Sequence, residues 1–336
     1  MVKRCISIVV TLIMLFSVLT ACNKGSSGGA PDPENLTFGV TVSMISGYYT
    51  AMINAIEAKA AEMGIELVLL VADDDSTKQN QQMENFIAQK VDAIICNPVD
   101  GTAISSAVQM AMDAGIPVIT VDRLAEEATP SKQIKGDAYG LSRDIMEWYA
   151  QSDEAKNLGR PTRTLVLVGQ MSDSYAVDCL RAHREVIDEN PDVFELVAEI
   201  PGEWNQDIIL TGVQNALSAN PDIDLIVSPS DFYIPPVRSA LSQLNRWVTH
   251  SEPGHVYLMS NDGDVEGMQG VKDGYLLADG VVDARACGEW GVEYAFKVVM
   301  GEAENDGEVL SFPCFVVPYT RFDELAPSVY SYSELS

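Results

Sequence analysis

Aromatic rings, carboxylates, amides and one guanidinium follow short apolar segments at several places along this chain of 336 residues. A hydroxyl group both donates and accepts hydrogen bonds, so such side chains can engage a ring of hydroxyls while aromatic faces cover the C–H surfaces between them. The fork of Arg123 can bind two neighbouring oxygens at once, with Asp122 beside it. These residue types indicate recognition of a small neutral sugar or polyol. The candidate ligand-binding residues are Ser43, Tyr48, Tyr49, Asn97, Asp122, Arg123, Trp204, Ser230, Asp231, Asn261 and Asp262.

Two series of alternating apolar strands and amphipathic helices position these residues. The predicted strands of the first series are 36–42, 65–71, 92–96 and 116–121, and those of the second are 164–169, 194–200, 225–228, 255–260 and 275–280. The predicted helices are 48–63, 80–89, 103–114, 174–188, 207–218, 237–244 and 289–300, and the apolar segment 312–317 is strand-like. This alternation predicts an α/β fold with two lobes, each a doubly wound parallel sheet covered on both faces.

The candidate residues come directly after predicted strands of both series. Ligands of open parallel sheets bind outside the carboxyl ends of the strands, so two facing sets of loops predict a cleft between the lobes. Tyr48 and Tyr49 are adjacent, and two neighbouring residues cannot both face the core side of one helix, so at least one should face the cleft. The polar stretch 151–160 and Pro161 are predicted to lie near the junction of the lobes.

The first 35 residues have the composition of a leader and a tether. Lys3 and Arg4 precede an apolar run over 6–19, which is too short to span a bilayer comfortably and is typical of a secretion signal. The sequence of 19–22 resembles the lipobox of bacterial lipoproteins, in which the signal is cut before a cysteine that is then acylated. We therefore expect residues 1–21 to be a signal peptide, Cys22 to be the lipidated residue, and 22–35 to form a tether rich in Gly, Ser and Pro.

The charge balance excludes several partners. The chain has 49 acidic and 21 basic residues, for a formal charge of −28. A phosphate backbone would repel such a polyanion, so nucleic acid is excluded as a partner. An anionic lipid surface would repel it too, so we expect membrane attachment through the lipid anchor only.

The cysteines and histidines indicate no metal site and no cofactor. Beyond Cys5 and Cys22, the thiols are Cys96, Cys179, Cys287 and Cys314, which are widely spaced and allow three pairings. Buried free thiols are the favoured interpretation, because each lies in an apolar pattern. The histidines, His183, His250 and His255, lie at no spacing typical of zinc ligands.

Three segments resemble one protein family. They are GVTVSMISGYYTAM at 39–52, DAIICNPVDGTAISSAVQMAMDAGIPVITVDR at 92–123 and NDGDVEGMQGVKDGYLLA at 261–278. They resemble the substrate-binding proteins of bacterial sugar ABC transporters of the ribose and galactose type, also called type I periplasmic binding proteins. The resemblance runs from about residue 36 to 320, and the segment 92–123 is its most specific part.

The resemblance implies roles for several candidates. Tyr48 and Tyr49 match an aromatic pair that sandwiches the sugar. The residues that match hydroxyl ligands or an aromatic wall are Asn97, Asp122, Arg123, Asp262 and Trp204.

The second lobe departs from the family pattern. Cys179 stands where ribose-type members have a second arginine, with Arg181 nearby, and Ser230 replaces an asparagine ligand. Asn261 replaces a phenylalanine, and Val282 or Asp283 replaces a glutamine near the hinge. The ligand class is therefore expected to follow the family, and the sequence leaves the identity of the individual ligand open.

The family also implies how the lobes are joined. Its three crossings fall by position near 136/137, 282/283 and 311/312. We thus expect an N-terminal lobe of 36–136 plus 284–311 and a C-terminal lobe of 137–283 plus 312–330. Three strands permit bending about one axis, so ligand should shift an open population to a closed one that a membrane permease distinguishes. We expect a monomer.

Three alternatives compete with an ABC transport receptor. A receptor that feeds a sensor kinase or chemoreceptor would use the same closure and stays open. Asp73, Asp75 and Thr77 form the D-x-D-x-T motif of Mg²⁺-dependent phosphatases, but it follows the second strand instead of opening the domain, and Asp75 suits a helix start. A sugar-responsive repressor would need a basic DNA-binding module, for which the stretch between Cys22 and the first strand is too short.

Overall fold

The computed structural model describes residues 35–336, which form two α/β lobes. In lobe one, the strands are β1 Thr37–Val42, β2 Glu66–Val71, β3 Ala93–Cys96, β4 Val118–Val121, β5 Lys132–Gly136 and β11 Glu308–Phe312. They are all parallel, in the order β11-β5-β4-β3-β1-β2. Its helices are α1 Gly47–Met63, α2 Ser76–Gln89, α3 Ser105–Asp113 and α10 Ala284–Val299.

Lobe two repeats this arrangement with one antiparallel edge. Its strands are β6 Thr162–Val168, β7 Phe194–Pro201, β8 Leu225–Val227, β9 Tyr257–Asp262, β10 Ala278–Val281 and β12 Phe315–Pro318. The order is β12-β10-β9-β8-β6-β7, and β12 runs antiparallel to β10. Its helices are α4 Ala138–Gln151, α5 Asp153–Asn157, α6 Ser174–Glu189, α7 Gln206–Ala219, α8 Ile234–Gln243, α9 Val265–Lys272 and α11 Phe322–Leu325. The predicted fold class is confirmed.

Within the described residues, the chain crosses between the two sheets three times: between β5 and α4, between β10 and α10, and between β11 and β12. The prediction that residues 151–160 lie near the junction of the lobes is wrong. The helix α4 already packs on β10 and α6 of lobe two, so the lobe begins before the polar stretch.

Apolar central strands form the core of each lobe. Every residue of β3 and β4 is buried, as expected for strands that carry helices on both faces. Close helix packing requires Gly39 in β1, because a Cβ atom there would lie 2.6 Å from Cγ of Phe86 on α2. None of the helices in the described part of the chain is long and apolar enough to cross a bilayer.

Aspartate or asparagine side chains cap six of the helices that follow strands in the described part of the chain. Asp75 caps α2 by accepting from the backbone N–H groups of Thr77 and Lys78 at 2.8 and 3.0 Å. Asp137, Asp173, Asn205, Asp264 and Asp283 cap α4, α6, α7, α9 and α10 in the same way. These caps fix where each helix begins, and so hold the loops at the carboxyl ends of the strands.

The four described cysteines are free thiols. Cys96, Cys179 and Cys287 are buried, and Cys314 is half-buried at the third crossing. The favoured interpretation of buried free thiols is thus confirmed for the first three.

Candidate functional site

The strand ends of the two lobes face each other across a narrow cavity. The cavity holds about 30 Å³, enough for roughly one or two water molecules. A sugar therefore needs the lobes to separate before it can enter. The residues that line the cavity, called the cleft wall below, are Met44, Ser46, Tyr48, Tyr49, Asp122, Arg123, Asp173, Tyr175, Trp204, Ser230, Phe232 and Asp262.

The aromatic pair of lobe one comes from the first turn of α1. Ser46 caps this helix, and the rings of Tyr48 and Tyr49 meet edge to face with centroids 5.4 Å apart. The Tyr49 hydroxyl donates to Oδ2 of Asp122 at 2.8 Å, and Nδ2 of Asn97 donates to the same oxygen at 3.3 Å. The tyrosine and the amide therefore fix the position of the Asp122 carboxylate. The backbone of Asp122 is in the left-handed region, with a φ of 67°.

Burial raises the pKa of Asp122 to about 6, although the Arg123 guanidinium opposes the shift. The nearby Asp173 raises it further, and the Tyr49 hydrogen bond lowers it. At neutral pH this group is mostly an ionised acceptor held in a site that excludes water.

The Arg123 guanidinium is buried and has well-defined contacts on two of its nitrogens. Its Nη1 donates to the carbonyl oxygens of Pro98 and Val99 at 3.2 and 3.4 Å. Its Nε lies 3.0 Å from Oδ2 of Asp173 in lobe two, although the N–H direction misses hydrogen-bond geometry, so the contact is a charge pair. The guanidinium carbon lies 5.7 Å from the centre of the Tyr49 ring.

Trp204 forms the aromatic side of lobe two. Its indole N–H donates to Oδ2 of Asp173 at 3.0 Å, and its backbone N–H donates to the Tyr233 hydroxyl at 3.0 Å. A Cβ atom on Gly169 would lie 2.3 Å from the Trp204 ring, so the glycine is required for the ring's position. The φ of Trp204 is 49°, a left-handed conformation that the surrounding contacts hold in place.

The polar side of lobe two is centred on Asp262. The Ser230 hydroxyl donates to its Oδ2 at 2.5 Å, and the backbone N–H of Asp231 donates to the same oxygen at 3.1 Å. Burial, together with the neighbouring Asp264 carboxyl, raises the pKa of Asp262 well above its ordinary value. The Tyr175 hydroxyl donates to the carbonyl of Pro229 at 3.1 Å, which aligns this ring beside the cleft.

The structure brings seven of the candidate residues together on the cleft wall. They are Tyr48, Tyr49, Asp122, Arg123, Trp204, Ser230 and Asp262.

It places the other four candidates off the wall, for different reasons. Ser43 and Asn97 lie behind it, since the Ser43 hydroxyl donates to Oδ1 of Asn97 at 2.6 Å and both side chains are fully buried. Asn261 belongs to β9 and points toward α4, donating to the Ser142 hydroxyl at 3.1 Å. Asp231 turns toward α9, where it accepts from the backbone N–H of Asp264 at 3.0 Å.

Five wall residues were not among the candidates: Met44, Ser46, Asp173, Tyr175 and Phe232. The sequence contained a signal for Asp173, because an aspartate followed by serine in the loop that links a strand to a helix is a helix-start pattern at the carboxyl edge of the sheet. Arg181, the arginine near Cys179 in this lobe, lies away from the cleft. It is 54% exposed, pairs with Asp178 and stacks on the ring of Tyr139 at 4.1 Å.

The residues of the phosphatase alternative have structural contacts. Asp73 is exposed and pairs with Lys78, and Asp75 caps α2. Among residues 35–336, no group of three or more acidic, histidine or cysteine side chains has a geometry that could hold a metal ion.

Comparisons with known proteins agree on one family. A family model described as a periplasmic binding protein domain matches residues 38–303. The ribose import binding protein of Bacillus subtilis is 26% identical over 308 residues, which cover 89% of this chain and 94% of that protein. The xylitol-binding protein of Mycolicibacterium smegmatis is 26% identical over 312 residues, covering 91% and 82%.

A solved structure supports the same relationship. An ABC transporter solute-binding protein from Bacillus halodurans, determined with bound myo-inositol, superposes with a TM-score of 0.77. It is 26% identical, and the match covers 88% of this chain and 99% of that one.

Proposed function

The chain belongs to the periplasmic binding protein family, and from that premise we propose that it captures a neutral sugar or related polyol between its lobes and delivers it to an ABC permease. The resemblance found in the sequence is thereby confirmed, and the protein is a binding protein, not an enzyme. Membership of this family also implies an extracytoplasmic location.

One observation carries the proposed ligand class: the cleft wall combines aromatic rings with three carboxyl groups and a single guanidinium. The carboxyl groups belong to Asp122, Asp173 and Asp262, and the guanidinium belongs to Arg123. Because a sugar phosphate or sugar acid would add negative charge beside these groups, the wall disfavours anionic ligands. Neutral hydroxyls suit it, since each can donate to a carboxyl oxygen and accept from Arg123 or a tyrosine.

Ligand capture depends on movement of the lobes. The cavity of about 30 Å³ is too small for a sugar, so an open form must admit the ligand and closure must follow. The three crossings between the sheets serve as the hinge, and the lobes correspond to 36–136 plus 284–311 and 137–283 plus 312–330. Closure aligns the surfaces of both lobes, which gives the permease a way to recognise the loaded protein.

Attachment to the membrane is the part of the proposal that lies outside the described residues. The signal peptide at 1–21, the acylated Cys22 and most of the tether at 22–35 precede the first described residue. Acyl chains on Cys22 would hold a monomeric domain near its permease despite the formal charge of −28. In detergent phase partitioning of the protein expressed with its leader, the wild type should enter the detergent phase and Cys22→Ser the aqueous phase. Equal partitioning of both would contradict the anchor.

A thermal-shift screen tests the ligand class. Pentoses, hexoses, pentitols, inositols, nucleosides and sugar phosphates are compared, and a shift with one or more neutral members but none with the phosphates is expected. Asp122→Ala and Arg123→Ala should abolish the shift, while Arg181→Ala, which removes an exposed arginine from lobe two, should keep it. Wild-type affinity in both cleft variants would refute the site.

A further inference from the structure

One loop of lobe two makes several contacts with lobe one around the cavity. This loop, residues 170–174, is called the closure loop below. The backbone N–H of Gly101 donates to the carbonyl of Ser172 at 3.2 Å, and that of Leu124 donates to the Ser174 hydroxyl at 3.1 Å. Between these two contacts, Asp173 faces Arg123.

Asp173 uses its two carboxyl oxygens for different purposes. Oδ1 accepts from the backbone N–H of Tyr175 at 2.8 Å and so caps α6. Oδ2 accepts from the Trp204 indole at 3.0 Å and lies 3.0 Å from Nε of Arg123. The side chain is only 1% exposed, and that of Arg123 is 3% exposed. The helix cap and the indole therefore aim a buried carboxyl group at the opposite lobe.

This contact determines which part of the guanidinium can meet a ligand. Nη1 is committed to two backbone carbonyls of lobe one, and Nε faces Asp173. The hydrogen bonds of the Arg123 guanidinium to the described residues run through Nη1, so Nη2 is the nitrogen left for a ligand oxygen.

We infer that Asp173 is a positioning residue that couples closure of the cleft to ligand recognition. Its carboxyl group pairs with the Arg123 guanidinium of the opposite lobe and so holds Nη2 of Arg123 toward the ligand. The inference rests on the proposed function, because it assigns a role within the same cleft. The charge pair forms only when the lobes approach. Removing one partner leaves the other buried and unpaired, so the closed form loses population and affinity falls with it.

Asp173→Asn isolates the contact with little effect on the fold. Asparagine is as good a helix cap as aspartate, so Oδ1 can still accept from Tyr175, while the new NH₂ group faces two donors, Arg123 and Trp204. Affinity for the neutral ligand found in the screen should weaken at least about 10-fold, mainly through faster dissociation. The radius of gyration of the unliganded variant, measured by small-angle X-ray scattering, should exceed that of the wild type.

Asp178→Asn is the matched control. Asp178 also pairs across the lobes, with Lys135 at 2.6 Å, but both side chains are about one-fifth exposed. Such a pair contributes little, so affinity should change by no more than about twofold. If Asp173→Asn lowers the unfolding midpoint strongly, Asp173→Ser replaces it, because serine also caps a helix and carries no charge.

A double-mutant cycle with Arg123→Gln distinguishes positioning from a general structural effect. If Asp173 acts through Arg123, the Asp173→Asn change should weaken binding far less in the Arg123→Gln background than in the wild type. Additive losses, unchanged or tighter binding by Asp173→Asn, or a radius of gyration equal to that of the wild type would each overturn the inference. A wild type that binds none of the neutral ligands would instead refute the proposed function, and the scattering comparison would still test the inference.

Discussion

Replacing Asp122 with asparagine should remove a specific pH dependence of stability. Burial, opposed by Arg123, raises the pKa of Asp122 from its ordinary value of 3.8 to about 6. Between these two values the folded protein holds a proton that the unfolded chain has released, so stability falls as pH rises through this window. The difference of about two units corresponds to about 3 kcal/mol, at 1.36 kcal/mol for each unit.

The asparagine side chain of this variant has the same shape as aspartate and can still accept from Tyr49 and Asn97, but it does not titrate. The free energy of unfolding of Asp122→Asn, relative to wild type, should therefore rise by about 2 kcal/mol between pH 4 and pH 7, because at pH 4 the carboxyl group of the unfolded chain is already more than half ionised. Urea unfolding followed by tryptophan fluorescence measures this difference at each pH, and the other buried carboxyl groups cancel from it. Asp192→Asn, at an exposed loop position, is the control. A relative stability that stays flat or falls with rising pH would refute the reasoning.

Three further predictions concern the same cleft. Ligand affinity should decline as pH falls below about 6, because a protonated Asp122 loses acceptor capacity. Isothermal titration calorimetry of the wild type measures the affinity at each pH, and an affinity that stays constant would contradict this prediction. Glu203 is exposed with a φ of 50°, so Glu203→Gly should raise the free energy of unfolding by about 1 kcal/mol, whereas Glu195→Gly in β7 should lower it. A Cβ atom at position 169 would lie 2.3 Å from the Trp204 ring, so Gly169→Ala should weaken ligand binding at least about 10-fold, and unchanged affinity would show that the ring can move freely.

The parts of the fold that the sequence predicted are those with a local signal. The strands β3 and β4 are short segments of mostly apolar residues, and α1 ends at Gly64, which has a φ of 71°. The strand β5 has the sequence KQIKG and was missed, along with the helix that follows it. Lys132 is buried there because its ammonium group pairs with Asp306 and Glu308 at 2.7 and 2.8 Å. Partners more than 170 residues away turn a polar segment into a buried strand, and no local pattern reports them.

The site residues also divide into those with a local sequence signal and those whose position depends on residues far away in the chain. Asp122 and Arg123 were predicted because they directly follow an apolar strand, and both lie on the cleft wall. Asn261 also ends an apolar strand, but the pleat turns it toward α4. The role of Asp173 depends on Arg123, fifty positions earlier and in the other lobe, so only the folded chain brings the pair together.

The formal charge of −28 overstates the charge that a ligand meets in lobe two. Burial raises the pKa of Asp231, Asp262 and Asp279 well above the ordinary value, and the carboxyl groups beside each of them add to the shift. Oδ2 of Asp231 and Oδ2 of Asp279 both lie 2.3 Å from the point where a Cβ atom on Gly267 would stand, so the two carboxyl groups are neighbours and disfavour each other's ionised form. A protonated carboxyl group both donates and accepts, as a hydroxyl does. A ligand in the cleft therefore meets the Arg123–Asp173 charge pair and a mostly ionised Asp122, together with an Asp262 carboxyl group whose ionised form is disfavoured by burial. Because Asp173 is already paired with Arg123 and burial disfavours an ionised Asp262, lobe two attracts an ammonium group less than its carboxyl groups alone would suggest, and this favours hydroxyls over amines as ligand groups.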